Sequence, residues 1–244
     1  MATVTYRDTT ASTTNATAYT GASFTPAVND LLVAMVAATD TVGTGSMTGS
    51  AGPAWTLYRS DAFTQGTITT TIYIFVTTSL VSSATAQTVT FTCSATCSGA
   101  IVHVCSISGL SRTGTSAFKQ AASATFTSTP PPSVTLTSTS TIGNPLIGVY
   151  CAVDTTATVP TAAGAGTNYT AGAGATTTYS TPSTRSNFEY WSSPTSGQTG
   201  VAWSSGVGGS ATASGRATVF EINTAAAAVT IPRTMIKSCG IIGR

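Results

Sequence analysis

The chain has 244 residues, only 7% of them charged, with nine Lys and Arg against seven Asp and Glu. Soluble domains usually carry about 25% charged residues, whereas here threonine alone makes up about a fifth of the chain. No basic stripe for nucleic acid exists, because the basic residues lie far apart. The longest apolar run, "LLVAMVAA" at 31–38, is shorter than the ~20 residues that a membrane-spanning helix requires. We therefore expect neither nucleic-acid binding nor a membrane span.

Apolar and polar residues alternate with a period of two, which predicts β-strands. Gly- and Pro-rich segments such as "GTGSMTGSAGP" and "SPTSGQTG" separate them and predict turns. No internal repeat of fixed period is visible, which argues against a solenoid or a propeller. The predicted strands are, in chain order, "DLLVAMVAA", "AWTLYRS", "TITTTIYIFVT", "AQTVTFTCS", "GAIVHVCSIS", "SVTLTST", "PLIGVYCAV", "SNFEYWSS", "TGVAWSSG" and "GRATVFEIN".

The threonines follow the same alternation. In "TVTFTC", Val89, Phe91 and Cys93 share one face and the threonines share the other. In "SVTLTST", Val134 and Leu136 point to the core in the same way. β-Branched threonine suits a solvated pleated face that lacks charge. "IYIFV" and "LLVAMV" are apolar on both faces, so we expect them to be central strands covered on both sides by a second sheet or a partner subunit.

These patterns together predict an all-β protein, an antiparallel two-sheet β-sandwich of jelly-roll-like type. One domain is expected over residues 1–223. The segment 224–244 changes in composition and is too apolar for a solvated tail. It is predicted either to close the same domain as a last strand or to lie as an extended C-terminal arm on a neighbouring subunit. Its candidate partner-binding residues are Val229, Ile231, Pro232, Met235, Ile236, Ile241 and Ile242.

Residues capable of acid–base chemistry are few. The single histidine, His103, lies in phase with Ile101 and Cys105 on a predicted strand, so we expect a core or inter-sheet histidine held by a hydrogen bond. Nothing in the sequence brings Glu189 and Glu221 together as a catalytic pair. We predict no enzymatic activity, no cofactor and no metal site.

Five cysteines leave at least one unpaired: Cys93, Cys97, Cys105, Cys151 and Cys239. With one histidine the chain lacks the ligand spacing of a zinc site. Free thiols, several of them buried as small apolar side chains, are the preferred interpretation. A disulfide between Cys93 and Cys97, whose "CSATC" segment suits a hairpin loop, is the alternative.

Aromatic residues are candidates for a binding surface. Trp55, with Leu57 in phase, and Trp203, which alternates with Val201, are predicted to lie in the core. The neighbours Tyr190 and Trp191 must point to opposite faces of a strand, so one of them is available for a contact. The candidate site for a host surface glycan or a protein partner consists of Tyr190, Trp191 and Gln198.

The strands resemble, in order, those of a known family. "NDLLVAMVAATD" and "AWTLYRSDA" match its opening strands, "TTTIYIFVTT" its aromatic strand, and "AQTVTFTCS" its T-V-T-V-T strand. "IVHVCSISGLS" departs from a Y-S-G-V-D ending at Ser106 and at 110–111, and "ATVFEIN" matches the last strand. The family is a β-sandwich, jelly-roll-like domain of tailed-phage structural proteins and some bacterial surface proteins. The resemblance covers residues 16–223 and implies a fold and a virion context, with no catalytic residue to transfer.

We therefore expect a virion structural protein on the exterior of a phage particle, a capsid decoration (cement) or tail-associated protein. Its expected partners are major capsid or tail proteins and copies of itself, in a homo-oligomer or symmetric array. It would be assembled in the host cytoplasm and exposed outside after lysis, since "MATVTYRDTT" has no secretory pattern. A glycan-binding adhesin module is the alternative. An ice-binding protein ranks last, because it requires regular ranks of threonine and the T-x-T segments recur irregularly along the chain.

Overall fold

A computed structural model describes residues 1–12, 14–39, 44–127, 131–154, 166–172, 175–177, 183–205 and 213–224. One short 3-10 helix spans Gly114–Ala117, and no helix of the described chain has the length and hydrophobicity to cross a bilayer. The strands are β1 (Thr3–Ser12), β2 (Ala16–Thr20), β3 (Leu31–Thr39), β4 (Gly45–Gly49), β5 (Trp55–Gln65), β6 (Ile68–Thr77), β7 (Val89–Cys97), β8 (Gly99–Ser108), β9 (Phe118–Thr127), β10 (Ser133–Thr135), β11 (Leu146–Asp154), β12 (Thr170–Ala171), β13 (Ala175–Thr177), β14 (Ser183–Trp191), β15 (Gly200–Ala202) and β16 (Ser214–Ile222).

Two large antiparallel sheets pack against each other, as the sequence predicts for an all-β sandwich. The first has the order β1-β8-β3-β6-β5. The second has the order β12-β14-β11-β16-β9, and β13 also pairs with β14. Two smaller sheets, β2-β7-β4 and β10-β15, cover the outer faces of the large ones. The chain therefore forms a stack of four β-layers.

Three apolar clusters fill the spaces between these layers. The central cluster lies between the large sheets and includes Met35, Ile74, Val149 and Phe220. The second lies under β2-β7-β4, and the third lies under β10-β15. Every residue of β3 and β11 is buried, because each of these strands has a core on both faces. The prediction that "LLVAMV" and "IYIFV" are central strands covered on both sides is confirmed.

The two halves of the chain repeat the same strand order. In the first half, β1 pairs with β8, the last strand of that half. Strand β3 pairs with both β8 and β6. The second half has the same order, with β9, β16, β11 and β14 in the places of β1, β8, β3 and β6, and with β12 and β13, which both pair with β14, in the place of β5. Likewise β10-β15 corresponds to β2-β7, and the sequence positions equivalent to β4 lie outside the described residues. The described strands of each half thus follow the path of a jelly roll.

Equivalent positions of the two halves lie 114 residues apart over β3 to β6 and β11 to β14. The register confirms this spacing: Ile74 pairs with Met35 in the first half, and Phe188 pairs with Val149 in the second. The segments "AGPAWT" (51–56) and "AGTNYT" (165–170) are the clearest sequence trace of the repeat. No repeat of fixed period is visible in the sequence, whereas the structure shows two halves of equal strand order.

The halves pack as two subunits of an isologous dimer would. Edge strand β5 of the first half lies against β16 beside β9, and edge strand β1 lies against β13, the counterpart of β5. The first strand of each half therefore meets the fifth-strand region of the other. This reciprocal contact buries the apolar face that each large sheet would otherwise expose.

Some local predictions failed. The strands β1, β2, β4 and β9 were missed, because most of their residues are Ser, Thr, Ala and Gly and lie half-buried or exposed near sheet edges. Trp203 is buried as predicted, but Trp55 is only half-buried, and Leu57 is 40% exposed. All residues predicted for the C-terminal arm from Val229 onward lie outside the described residues.

Candidate functional site

His103 joins the two halves in the interior of the central cluster. Its Nδ1 lies 2.9 Å from Thr9 Oγ1, and its Nε2 lies 2.9 Å from Ser186 Oγ on the opposite sheet. Ser186 donates its own hydroxyl proton to the Tyr150 carbonyl at 2.7 Å, so its oxygen accepts from Nε2–H. Burial lowers the pKa of His103 to about 3. The prediction of a hydrogen-bonded inter-sheet histidine is confirmed.

The geometry gives no support to a catalytic pair of His103 with a cysteine thiol. Both ring nitrogens are already bonded to hydroxyl groups. Burial raises the pKa of Cys105 to about 12, so its thiol stays protonated at neutral pH. Burial also raises the pKa of Cys151. Within the described ranges, no three His, Cys, Asp or Glu side chains come together as a metal site would require.

A second polar contact between the halves surrounds Asp61 at the edge of the sandwich. The Arg59 guanidinium donates to both carboxylate oxygens at 2.6 and 2.9 Å. Ser123 and Thr218 donate to the same carboxylate from the other half, and Arg216 lies 3.7 Å from it. Burial raises the pKa of Asp61, but these hydrogen bonds and the two arginine charges outweigh it and hold the pKa below its usual value. Asp61 is therefore an ionised link between the halves.

A cleft of about 510 Å³ opens beside this polar contact between the halves. Arg216 is the charged residue in its wall, and its guanidinium is already bonded to Ser123 and to the Ala62 carbonyl. The lining residues are Phe63, Thr64, Thr125, Phe126, Thr127, Ser214, Gly215 and Arg216. Because the Arg216 guanidinium is already hydrogen-bonded within the protein, the cleft offers serine and threonine hydroxyl groups and two phenylalanine side chains rather than a free charge.

Equivalent places in the two halves carry polar clusters of different charge. In the first half Arg7 donates to Asp30 at 3.0 Å and to Ser106 at 2.8 Å. In the second half Asn144, the counterpart of Asp30, donates to Glu221 at 2.6 Å. Glu221 also accepts from Gln120 at 2.6 Å and lies 3.4 Å from the Lys119 ammonium. Both clusters link the start of the third strand of a half to the last strand of that half.

Glu189 is a buried carboxyl group in the second half. Its Oε2 accepts from the Gly166 amide at 2.6 Å, while Oε1 has no hydrogen-bond partner among the described residues. The same holds for the Tyr169 hydroxyl and the Trp203 indole nitrogen, both of which are buried atoms. Burial raises the pKa of Glu189 from 4.5 to about 7. The first half has Phe75 at the equivalent position, so this acid is an addition to the repeated fold.

Tyr190 and Trp191 point to opposite faces of β14, as predicted. Tyr190 is half-buried and stacks on Phe188 beside the central cluster, with ring centroids 6.1 Å apart. Trp191 is half-buried and meets Tyr169 edge to face at 5.7 Å. The Gln198 amide donates to the backbone and side chain of Ser196. The three residues therefore do not share one face of the molecule.

The outer sheet β2-β7-β4 presents an uncharged face of small side chains, here called the hydroxyl face. Thr90 of β7 pairs with Thr20 on one side and with Thr48 on the other. Two residues further along β7, Thr92 pairs with Ala18 of β2 and with Ser46 of β4. Thr20 Oγ1 and Thr90 Oγ1 are 2.9 Å apart. The hydroxyl face comprises Ala18, Thr20, Ser46, Thr48, Thr90 and Thr92.

Cys93 and Cys97 form a disulfide, which corrects the preferred interpretation of free thiols for this pair. The bond spans the segment of β7 where the pairing register with β2 shifts, between the partners of Ala16 and Ala18. It closes this bulge beside the Tyr19 hydroxyl, which donates to the Cys97 carbonyl at 2.9 Å. Cys105 and Cys151 are free and buried, as expected, and Cys239 lies outside the described residues.

Three of the four exposed large apolar residues in the described part of the chain lie at one end of the molecule, here called the turn pole. It comprises the turns before β3 and β11, with Val28 and Ile142, together with Met1 and Thr224. Pairing of Leu31 with Ile107, and of Leu146 with Trp191, brings the starts of β3 and β11 to the ends of β8 and β14. Val4 of β1 pairs with Ile107 near the end of β8, and its amide donates a hydrogen bond of 3.0 Å to Ser192 Oγ, directly after β14.

Comparison of the chain with protein-family models, with curated proteins and with solved structures finds no significant match. The resemblance to phage β-sandwich domains therefore stays a prediction from the sequence.

Proposed function

We propose that the protein is a structural component on the exterior of a phage particle, as a capsid decoration or tail-associated protein. The observation that carries this proposal is the four-layer stack of two jelly rolls with its exposed apolar residues gathered at the turn pole. Jelly rolls are common in viral capsid proteins and in lectins. Fold alone does not define function, so the turn pole is the more specific support.

The proposed mechanism is docking and repetition. Two halves joined through a central core and two polar links form a rigid body that loses little conformational entropy on binding. Each contact with a neighbouring virion protein would bury about 800 Å² on each partner. Symmetric repetition would then convert modest single contacts into strong retention. Catalysis plays no part in this proposal, in line with the neutral, doubly bonded His103.

The test is to locate the protein on particles. Antibodies raised against the purified full chain are applied to particles released by lysis of the source cells, and gold labels are imaged by electron microscopy. Labels at regular positions on capsids or tails are expected. Protein found only in the particle-free fraction, with unlabelled particles, would overturn the proposal. Binding of the purified chain to a glycan array in that second case would favour the adhesin alternative.

A second candidate function, binding to ice, is favoured by the hydroxyl face. Same-face side chains of a sheet repeat about every 6.6–6.8 Å along a strand and about 4.8 Å across strands. The row Thr20–Thr90–Thr48 therefore aligns three threonines across neighbouring strands, and Thr92 continues the threonines along β7. An ice-recrystallisation assay with the full chain and with T90K tests this candidate. Activity in the parent that T90K loses is expected, and no activity in the parent rejects it.

A further inference from the structure

Two equivalent β-turns form the tip of the turn pole. In the first, the Asp30 amide donates to the Ala27 carbonyl at 3.2 Å, and Asn29 has a φ of 69°. In the second, the Asn144 amide donates to the Thr141 carbonyl at 3.1 Å, and Gly143 has a φ of 83°. A positive φ at the third turn position is typical of type II turns. The second position, which projects outward, is apolar in both turns.

Those projecting residues are Val28 and Ile142, which are 50% and 65% exposed. Single exposed apolar residues are ordinary, but these two occupy equivalent positions 114 residues apart. Among the residues the structure describes, four large apolar side chains are exposed, and three of them, Met1, Val28 and Ile142, lie at the turn pole. Turn positions usually favour polar residues. An aliphatic residue at the same position of both turns therefore indicates a surface that another segment or molecule covers.

The last described residue, Thr224, lies beside the turn pole. Thr224 donates its amide and its hydroxyl to Asn144 Oδ1 at 3.2 and 2.7 Å, which holds it next to the turn of Ile142. A cleft of about 250 Å³ lies at the same place. Its walls are formed by Met1, Ala2, Gly109, Gly143, Ser193 and Thr224. Thr224, the last described residue before 225–244, therefore lies at the turn pole.

We propose that residues 225–244 dock across the turn pole and cover Val28 and Ile142. The segment carries large aliphatic residues such as Ile231, Ile236 and Ile241 that need cover from water. Twenty residues reach up to about 66 Å when extended, whereas packed sheets lie about 10 Å apart, so both turns are within reach. Tethering makes docking on the same chain the favoured arrangement for the free protein.

This inference deepens the proposed function, because the same contact made on a neighbouring copy would link subunits in an array. It does not require the particle for its test. The charge distribution agrees with an apolar contact: the two exposed turn residues are aliphatic, and the basic residues Arg233 and Lys237 flank Met235 and Ile236 rather than interrupting the pair. Those two basic residues also provide protease sites within the segment.

The experiment measures tryptic cleavage of the full chain at Arg233 and Lys237 by mass spectrometry under native conditions. In the parent protein we expect slow cleavage, because a docked segment is cut only from its open form. The double variant V28E/I142E should be cut at these sites at least about tenfold faster, since charged side chains cannot hold the aliphatic segment. Cleavage at the exposed Arg112 serves as the internal reference.

The matched control is L57E, which places the same charge at the fourth exposed apolar residue, on β5. It should leave cleavage at Arg233 unchanged. Thermal melting checks that V28E/I142E stays folded, as expected for exposed positions. Equal cleavage rates in the parent and V28E/I142E would overturn the inference, whatever the outcome with particles. A parent rate that falls as protein concentration rises would overturn docking on the same chain and assign the contact to a neighbouring copy.

Discussion

His103 Nε2 lies 2.9 Å from Ser186 Oγ, and this hydrogen bond joins β8 of the first half to β14 of the second. The two residues are 83 positions apart in the chain. Because the Ser186 hydroxyl donates its hydrogen bond to the Tyr150 carbonyl, its oxygen accepts from His103, and the neutral imidazole is held as the Nε2–H tautomer. The contact sits within an apolar cluster, where a lost partner cannot be replaced by bulk water.

We expect H103Q to lower the free energy of unfolding by about 2–4 kcal/mol at pH 7, because two buried hydrogen bonds lose their geometry. Urea unfolding of the parent and of H103Q measures the difference. The folded pKa of about 3 lies below the usual 6.5, so this group's contribution is present above pH 6.5 and is lost as the pH falls toward 3. H103Q should lack that component of acid sensitivity. An unchanged free energy of unfolding in H103Q would show that the contact is dispensable.

Glu189 should give the opposite dependence on pH. Its folded pKa of about 7 lies above the usual 4.5, so its contribution to stability is complete below pH 4.5 and is lost as the pH rises through 7. E189Q keeps an acceptor for the Gly166 amide without a charge. We expect E189Q to exceed the parent in stability at pH 8 by about 2–3 kcal/mol and to match it near pH 4.5. Parallel pH profiles of the melting temperature in the two proteins would contradict this.

The Cys93–Cys97 disulfide should stabilise the fold modestly, because it closes a short loop. Chain-entropy arguments give about 2 kcal/mol for a loop of this size. We expect C93S/C97S to unfold at a lower urea concentration than the oxidised parent. Addition of a reductant should bring the parent to the midpoint of the variant and leave the variant unchanged. Identical midpoints in all four conditions would mean that the bond contributes nothing.

The repeated topology predicts that the chain can be divided between its halves. Residues 109–113 connect β8 to the 3-10 helix, and Ser111 and Arg112 are exposed there. Fragments 1–112 and 113–244 expressed together should associate one to one, because each large sheet has its apolar face covered by the other. Each fragment expressed alone should aggregate.

The matched variant for this association is D61N. Asp61 accepts hydrogen bonds from Ser123 and Thr218 of the other fragment, and its charge offsets two arginines. We expect D61N to weaken co-purification of the fragments. A soluble, monomeric fragment 1–112 with native circular dichroism would show that the halves do not depend on each other.

The sequence by itself determined the fold class and the central strands. Continuous apolar runs such as "LLVAMV" can be buried only between two layers, and alternating runs such as "TVTFT" have one inner and one outer face. His103 could be placed in the core because its strand neighbours Ile101 and Cys105 are apolar. Trp203 was placed in the core for the same reason. These inferences depend only on local periodicity.

Edge strands and the internal repeat were not visible in the same way. β9, "FKQAASATFT", has small, half-buried residues, so it lacks a period-two apolar signal of its own. The repeat survives as equal strand order and spacing, while few side chains are shared: Phe75 corresponds to Glu189, and Asp30 corresponds to Asn144. A sandwich core accepts many apolar side chains of similar volume, so the topology can persist after the sequence similarity has faded.

Only the tertiary structure decided which polar groups meet. Asp61 and Thr218 are 157 residues apart, and Thr9 and His103 are 94 apart, so no local pattern links them. Buried polar groups acquire their partners from whatever strand the fold brings opposite. The turn pole has the same origin, since Val28 and Ile142 are ordinary loop residues until the two jelly rolls pack with their third strands starting at one end. Periodicity therefore fixed what is buried, and the packing of the two halves decided what comes together.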